Sequence, residues 1–230
     1  MSDDLFKESL AELIGTFVLV FVGSAAVLVV DKFGVLVPAL AHGLILVALV
    51  YTYGHISGAQ VNPAVTLGLL VGGKQDLNKS LVYMLAQFIG GIIAAIVLTA
   101  VFPKDNAAVA GFLGEFTYNY GQTVGFLTED SVWTAAIYEA ILTFFLVSAV
   151  FQAAVYGHAG KLMGVAIGFT LAASILAGGP ATGASLNPAR TLGPALAAGE
   201  TSYLVPYLIG IFAGGAIAGL LHGNILTSDE

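Results

Sequence analysis

The sequence lacks cysteine and is poor in charge, and both absences narrow what the 230-residue chain can be. Without cysteine, disulfide frameworks and thiol chemistry are excluded, and the redox state of the compartment leaves no trace in the sequence. Charged residues make up only 9% of the chain, whereas hydrophobic residues make up 58% and the mean hydropathy is +0.94. A water-soluble domain of this length could not bury so much apolar surface. The composition therefore predicts an integral membrane protein.

The sequence lacks the signatures of several functional classes. The 7 basic residues are outnumbered by 14 acidic ones, which excludes nucleic acid as a partner because phosphate neutralisation needs a basic surface. A hydrolase or metalloenzyme needs a nucleophile with a base or clustered ligands, and the four histidines are scattered. We therefore expect neither an enzyme nor a cofactor.

The N-terminus lacks the basic flank and cleavage site of a signal peptide, so the first apolar segment is expected to be retained.

Six apolar stretches are long enough to cross a bilayer, whose hydrocarbon core of about 30 Å needs roughly 20 helical residues. They cover approximately residues 9–30, 36–53, 79–102, 131–154, 161–177 and 203–225. Two shorter stretches, 62–71 and 187–198, cannot cross and are predicted to be half-membrane helices that enter from opposite sides. Residues 103–130 are predicted to be a loop that connects the two halves.

The two halves of the chain are related by an internal duplication. The Asn62–Ala64 segment (Asn-Pro-Ala) returns as Asn187–Ala189, 125 residues later. Glu12 and Glu139 precede the two asparagines by 50 and 48 residues. Since each copy holds three spanning segments, the second copy starts from the opposite side of the membrane. We therefore expect one transmembrane domain over residues 1–230, built of inverted repeats at approximately 5–102 and 131–226, with its site at the midplane.

The repeated motif has a physical reading of its own. An Asn before a Pro suits a helix start, because the Asn side chain can cap the helix and the Pro gives up only a spare N–H. Two half-helices that meet at the midplane would present positive N-termini, which repel cations. The amides of Asn62 and Asn187 would hold a passing water by its oxygen and interrupt proton hopping. The alternative is that each Asn only caps its own helix.

The paired motifs, the string Gly54–Thr66 and the string Ser185–Arg190 resemble those of the major intrinsic proteins, the aquaporin and aquaglyceroporin channels. The similarity covers essentially the whole chain. It implies an all-α membrane protein with an aquaporin-like right-handed bundle of six transmembrane helices plus two half-membrane helices, in an inverted repeat. It also implies one pore per subunit of a homotetramer, with a pore centre formed by Asn62, Pro63, Ala64, Asn187, Pro188 and Ala189.

In this family, an Arg directly after the second motif lies at the outer constriction, and Arg190 occupies that position. Carry-over by spacing adds His42, Ile175 and Ala184 to the selectivity filter. A lone Arg in a membrane is costly unless it lines an aqueous path, although a structural salt bridge is the alternative for Arg190. For His42 the alternative is a packed, hydrogen-bonded histidine.

The filter composition bears on the permeants. It resembles that of plant tonoplast aquaporins, some of which also pass ammonia, urea, hydrogen peroxide or glycerol. Dedicated glycerol channels of the family usually carry an acid and a base where this chain has Thr191 and Ala195. We therefore expect water to be the first permeant, with small neutral solutes as an extension.

Glu12 and Glu139 are carboxylates within predicted membrane helices, where an unpaired charge is costly. The family resemblance makes them scaffolds that accept hydrogen bonds from the loops before the half-helices, whereas a transporter would use them as proton carriers. In the scaffold interpretation, carbonyls exposed along the pore form a ladder of acceptors opposite an apolar wall. The residues expected to supply them are Gly54, His55, Ile56, Ser57, Gly179, Pro180, Ala181 and Thr182.

The sequence thus predicts a passive channel that conducts water and small uncharged solutes and excludes protons and ions. A proton- or ion-coupled secondary transporter that uses Glu12 and Glu139 is the alternative. The lysines favour cytoplasmic termini, since more of them fall on the side of the termini (Lys7, Lys74, Lys79 and Lys161) than on the other side (Lys32 and Lys104). We expect an integral, multi-pass protein of the plasma membrane that contacts water, small solutes, lipid and further copies of itself.

Overall fold

The computed structural model describes residues 3–113 and 119–227, and in these residues the regular secondary structure is helical. The α-helices are α1 (Asp3–Val27), α2 (Val30–Phe33), α3 (Leu36–Ser57), α4 (Pro63–Val71), α5 (Leu77–Val101), α6 (Ala107–Leu113), α7 (Phe126–Asp130), α8 (Val132–Val150), α9 (Met163–Thr182), α10 (Pro188–Ala198) and α11 (Leu204–Asn224). A π-helical turn (Phe151–Val155) continues α8, and a 3₁₀ turn (Gly160–Leu162) precedes α9. Residues 114–118 of the predicted connecting loop lie outside the described part.

Six helices are long and apolar enough to cross a membrane, which confirms the predicted number: α1, α3, α5, α8 with its π turn, α9 with the preceding 3₁₀ turn, and α11. Their bounds differ from the prediction where capping decides. The first helix is already formed at Asp3, ahead of the predicted residue 9, and the acidic residues in its first turn complement the helix dipole. Helices α3 and α9 continue to Ser57 and Thr182, where Gly58 and Gly183 stop them in the left-handed conformation.

The half-membrane helices α4 and α10 begin as the sequence predicted. Asn62 caps α4 by accepting a hydrogen bond from the backbone N of Ala64 at 2.9 Å, and Pro63 takes the first helical position. Asn187 caps α10 in the same way, accepting from the N of Ala189 at 3.0 Å. Each Asn-Pro pair therefore satisfies the free N–H groups of a helix start inside the membrane.

The two repeats interlock at the alanines of the motif. A Cβ atom added to Gly91 on α5 would lie 2.7 Å from the carbonyl oxygen of Ala189, which belongs to the other repeat. A Cβ atom added to Gly215 on α11 would lie 2.5 Å from the carbonyl oxygen of Ala64. Both alanines are buried. Each half-helix thus rests on a glycine of the opposite repeat, and this close approach requires a small residue on both sides.

We expect Gly91→Ala and Gly215→Ala each to lower the free energy of unfolding by about 1–3 kcal/mol, because the added methyl group collides with backbone atoms of a half-helix. Thermal unfolding of the purified protein in detergent measures the effect. Gly54→Ala is the matched control, since its nearest contact would be an ordinary 3.9 Å to Val50. A loss of stability in the control as large as in the other two variants would contradict the interlocking argument.

Both ends of the described chain lie at one face of the bundle, called the terminal face below. Lys79 at the start of α5 forms a 2.9 Å ion pair with Glu8 near the start of α1. The side chain of Gln152, in the π turn, donates to the carbonyl of Leu226 at 3.4 Å. Asp31 between α1 and α3 shares a cavity with residues of the segment before α7, at the opposite face.

Candidate pore and selectivity site

Glu12 organises the segment that leads into the first half-helix. The side chain is fully buried and accepts four hydrogen bonds. One oxygen accepts from the Ser57 hydroxyl at 2.6 Å and the Gln60 N–H at 2.9 Å, and the other from the Val61 N–H at 2.6 Å. The second oxygen also accepts from the Gln87 amide at 2.8 Å. The carboxylate thereby replaces the water that these groups would otherwise need.

Glu139 does the same in the second repeat. It is fully buried and accepts hydrogen bonds from the Thr182 hydroxyl at 2.7 Å and from the backbone N–H groups of Ser185 and Leu186 at 2.9 Å each. Neither Glu12 nor Glu139 lines a described cavity. Each carboxylate therefore faces its own loop in the structure rather than the path of a permeant.

Both loops hold an unusual backbone conformation. The φ angles of Ala59 and Val61 are +47° and +44°, and those of Ala184 and Leu186 are +42° and +55°. Residues with a side chain rarely adopt this left-handed region, at a cost of about 1–3 kcal/mol each. The hydrogen bonds to the two carboxylates offset that cost, so the two loops keep a conformation that the chain would not adopt alone.

This backbone conformation turns a row of carbonyls away from the carboxylates. In a trans peptide, the C=O of one residue points opposite to the N–H of the next. Since the N–H groups of Gln60 and Val61 point to Glu12, the carbonyls of Ala59 and Gln60 point the other way. The same argument applies to Ala184 and Ser185. In the described part of the chain these four carbonyls have no hydrogen-bond partner, and Ala59, Gln60 and Ser185 line a cavity.

The expected carbonyl ladder therefore needs a correction. Four of the eight predicted carbonyls already accept hydrogen bonds within the protein: Gly54 and Gly179 from the N–H of Gly58 and Gly183, and Ser57 and Thr182 from the hydroxyls of Tyr83 and Tyr207. The other four, those of His55, Ile56, Pro180 and Ala181, remain predicted acceptors. The carbonyls without a partner lie later in the chain than predicted, because α3 and α9 extend further than expected. The irregular backbone therefore falls at residues 58–61 and 183–186.

The two motif asparagines join the repeats at their tips. The side-chain amide of Asn62 donates to the carbonyl of Leu186 at 2.8 Å, and the amide of Asn187 donates to the carbonyl of Val61 at 2.9 Å. An Asn amide has two N–H donors, so one donor per residue is left for another partner. Both asparagines line the same cavity. The sequence predicted that the tips meet, but it gave no sign of this reciprocal link.

Two cavities share one residue, His42. The inner cavity has a volume of about 280 Å³ and contains both asparagines. Its wall opposite the loops is apolar and includes Leu46, Val50, Leu146, Val150, Ile167 and Leu171. The outer cavity has a volume of about 430 Å³ and opens at the opposite face, lined by Asp31, Asn119 and Gln122 among others. His42 therefore lies at the constriction between them.

Arg190 and His42 are directly bonded at this constriction. The Nε–H of Arg190 donates to Nε2 of His42 at 3.0 Å, and Nδ1 of His42 lies 2.8 Å from the carbonyl of Pro38. Because Nε2 accepts, Nδ1 must carry the proton and donate to that carbonyl, so this arrangement fits a neutral imidazole. Nη1 of Arg190 is buried and has no partner in the described part of the chain. The guanidinium therefore keeps donors for a passing molecule.

The alternatives for these two residues have different outcomes. Arg190 forms no ion pair with a carboxylate among residues 3–113 and 119–227, so the salt bridge is not observed there. His42 is packed and hydrogen-bonded, as its alternative expected, but it also lines both cavities. Gly23 on α1 makes room for the ring, because a Cβ atom there would lie 2.5 Å from Cε1 of His42.

The remaining two predicted filter residues lie close by. Ile175 lines the outer cavity together with His42. Ala184 is buried and lines neither described cavity, although its neighbours Gly183 and Ser185 line the outer and the inner one. Ile175 thus shares a cavity wall with His42, Arg190 donates a hydrogen bond to His42, and Ala184 lies between residues that line the two cavities.

A bundle of six spanning helices, with two half-helices joined tip to tip beside a cavity that both motif asparagines line, defines a membrane channel fold. The family model described as "Major intrinsic protein" matches residues 1–222. Similar relatives include a probable aquaporin TIP1-2 from Oryza sativa subsp. japonica, 37% identical over 99% of this chain and 89% of the relative, and aquaporin TIP2-3 from Arabidopsis thaliana, 36% identical over 95% and 87%. The chain belongs to the major intrinsic protein family.

Comparison with solved structures supports the same fold. The X-ray structure of the aquaglyceroporin from Plasmodium falciparum matches with a TM-score of 0.83 over 96% of this chain and 97% of that one. The sequence identity of that pair is 23%, so the match concerns the fold.

Proposed function

We propose that the protein is a passive channel that conducts water, and with it small uncharged solutes, through the two cavities and the constriction between them. The observation that carries the proposal is the reciprocal pair of hydrogen bonds at the tips of α4 and α10, from the Asn62 amide to the Leu186 carbonyl and from the Asn187 amide to the Val61 carbonyl. It holds two helix N-termini at one point of the path. Relatives named aquaporin support water as the first permeant.

Selection against charge follows from this geometry. Each half-helix N-terminus carries about half a positive charge, and the Arg190 guanidinium adds a full one at the constriction, so a cation meets repeated repulsion. A water molecule meets the free donor of each Asn and the carbonyl acceptors of Ala59, Gln60, Ala184 and Ser185. These groups replace part of its hydration, while the apolar wall keeps binding weak. An uncharged molecule therefore passes without being held at a strong binding site.

The breadth of permeants depends on the filter. His42 and Ile175 leave one polar and one apolar wall, and the apolar wall suits the carbon skeleton of glycerol. We propose His42, Ile175, Ala184 and Arg190 as the selectivity filter, and the residues 62–64 and 187–189 as the pore centre. The alternative of a coupled transporter finds no support, because Glu12 and Glu139 hold the loops and line neither cavity.

The assembly and membrane orientation are also proposals. We propose one channel domain per chain, residues 103–130 as an extracellular loop, and a homotetramer. The terminal face carries Lys7, Lys74, Lys79 and Lys161, which supports cytoplasmic termini. The expected plasma-membrane location gains no support from the relatives, several of which carry TIP names, so the protein is described as an integral multi-pass membrane protein.

Osmotic shrinkage of proteoliposomes tests the proposed function. Stopped-flow light scattering after an osmotic step should show fast water flux with a low activation energy. Re-swelling in iso-osmotic glycerol, urea or ammonium salts then ranks the solutes. Flux that saturates with solute concentration, or that requires an ion gradient, would indicate a carrier instead.

We expect the double variant His42→Phe with Ile175→His to reduce urea and glycerol flux by about tenfold or more while water flux stays within about twofold, because the bulk of two rings narrows the constriction. The solute re-swelling assay measures both fluxes. Leu44→Phe is the matched control, since Leu44 is 56% exposed at the outside of the same helix. If urea and glycerol flux are already undetectable in the parent protein, the inference of a wide filter is wrong.

A further inference from the structure

A chain of side-chain hydrogen bonds connects the inner cavity to the terminal face. Gln60, which lines that cavity, is 9% exposed. Its side-chain oxygen accepts from the Thr66 hydroxyl at 2.6 Å, and its side-chain nitrogen donates to Oε1 of Gln75 at 2.6 Å. Gln75, in the loop 72–76 after α4, donates in turn to Ser80 at 3.0 Å. Both ends of the Gln60 amide are thus occupied by protein groups.

The same chain is joined to the Glu12 scaffold. The amide nitrogen of Gln87 lies 2.8 Å from Glu12 and 3.0 Å from the Thr66 hydroxyl. Gln60 is therefore held at three points: its backbone N–H on Glu12, its side-chain oxygen on Thr66 and its side-chain nitrogen on Gln75. Only the third point depends on a residue outside the buried network.

In the second repeat, the residue that corresponds to Gln60 forms its side-chain hydrogen bonds without a partner from a surface loop. Ser185 precedes Asn187 by two residues, as Gln60 precedes Asn62. Its hydroxyl lies 2.5 Å from the hydroxyl of Thr191 and donates to the carbonyl of Asn187 at 2.9 Å. A short side chain closes its bonds locally, whereas the longer Gln60 amide extends to a surface loop. This difference between the repeats assigns a task to Gln75.

We propose that Gln75 is a positioning residue for permeation, which keeps the Gln60 amide out of the conducting path; the proposal rests on the proposed channel function. Without Gln75, the nitrogen of Gln60 loses its acceptor next to a cavity. A buried amide donor without a partner is costly, so the side chain turns to the molecules in the cavity. It then donates to passing water and slows it.

Three variants and one control test this role by water permeability per folded channel in proteoliposomes. Gln75→Ala should lower the permeability about threefold to tenfold, the range that corresponds to one hydrogen bond. Gln60→Ser, which copies the arrangement of Ser185, provides a background without the Gln60 amide. In the Gln60→Ser background, Gln75→Ala should cause no further loss. Ser80→Ala, which removes the Gln75–Ser80 bond and the bond from the Ser80 hydroxyl to the Asp76 carbonyl but keeps the bond between Gln60 and Gln75, should retain at least about half of the parent permeability.

The outcomes separate the possible roles. An equal loss from Gln75→Ala in both backgrounds would show that Gln75 merely supports its loop, and no loss in the parent background would show that Gln60 needs no such partner. Either result overturns the inference while the parent still conducts water. A parent protein that conducts no water would overturn the proposed function, and this inference with it.

Discussion

Replacing Glu139 by Ala is expected to remove both water conduction and most of the folded protein. The substitution leaves the N–H groups of Ser185 and Leu186 and the Thr182 hydroxyl without an acceptor in a fully buried site. Each unsatisfied buried donor costs about 1–3 kcal/mol, so the loss is on the order of 5 kcal/mol. The two residues with positive φ in the same loop then lose their support as well.

The yield of monodisperse protein in detergent, its thermal unfolding and its water flux measure this effect. Glu129→Ala is the matched control, because Glu129 lies on the exposed short helix α7 and should change none of the three. Glu12→Ala should behave like Glu139→Ala. A Glu139→Ala protein that folds with normal stability but loses flux would contradict the scaffold role and revive the proton-carrier alternative.

Replacing Arg190 by Val is expected to open the filter to larger and charged molecules. Val is the residue at the corresponding position of the first repeat, Val65, so a half-helix of this protein already tolerates it. Two unit charges 4 Å apart repel by about 4 kcal/mol at an effective dielectric constant of 20, so removing the guanidinium should raise cation leak at least about tenfold. Urea and glycerol flux should rise with it, while water flux stays within about twofold.

Ion-sensitive dyes in proteoliposomes, read beside the solute re-swelling assay, measure these fluxes. Arg190→Lys keeps the charge but not the bond to His42, and it should exclude cations while altering solute selection. Leu196→Val on the same half-helix is half exposed and serves as the neutral control. Unchanged selectivity in Arg190→Val would remove Arg190 from the filter.

The sequence was sufficient for the parts of the fold that repeat or that follow hydrophobicity. Six spanning segments were predicted from length and composition, and the two half-helices from their short apolar runs and Asn-Pro starts. The duplication was visible because each copy needs the same Asn-Pro helix start and the same buried carboxylate. The family resemblance then placed His42 and Ile175, which no local pattern would have paired with Arg190.

The sequence was not sufficient where long-range contacts decide. The carbonyl ladder was displaced because the ends of α3 and α9 are set by left-handed glycines and by carboxylates some 45 residues away in the chain, such as the Ser57 bond to Glu12. Other contacts between separate segments are the hydrogen bonds from the Asn62 and Asn187 amides to the opposite repeat and the bond from Gln60 to Gln75. Single-sequence patterns carry no signal for such pairs.

We propose that the N-termini of α4 and α10, which the Asn62 and Asn187 amides hold together, let uncharged molecules pass and exclude charged ones. The most direct measurement records water and proton flux in the same proteoliposomes, by light scattering after an osmotic step and by an internal pH dye after an imposed pH step. We expect water flux far above that of empty liposomes and proton flux equal to theirs. Proton flux that rises with the amount of protein in step with water flux would contradict it.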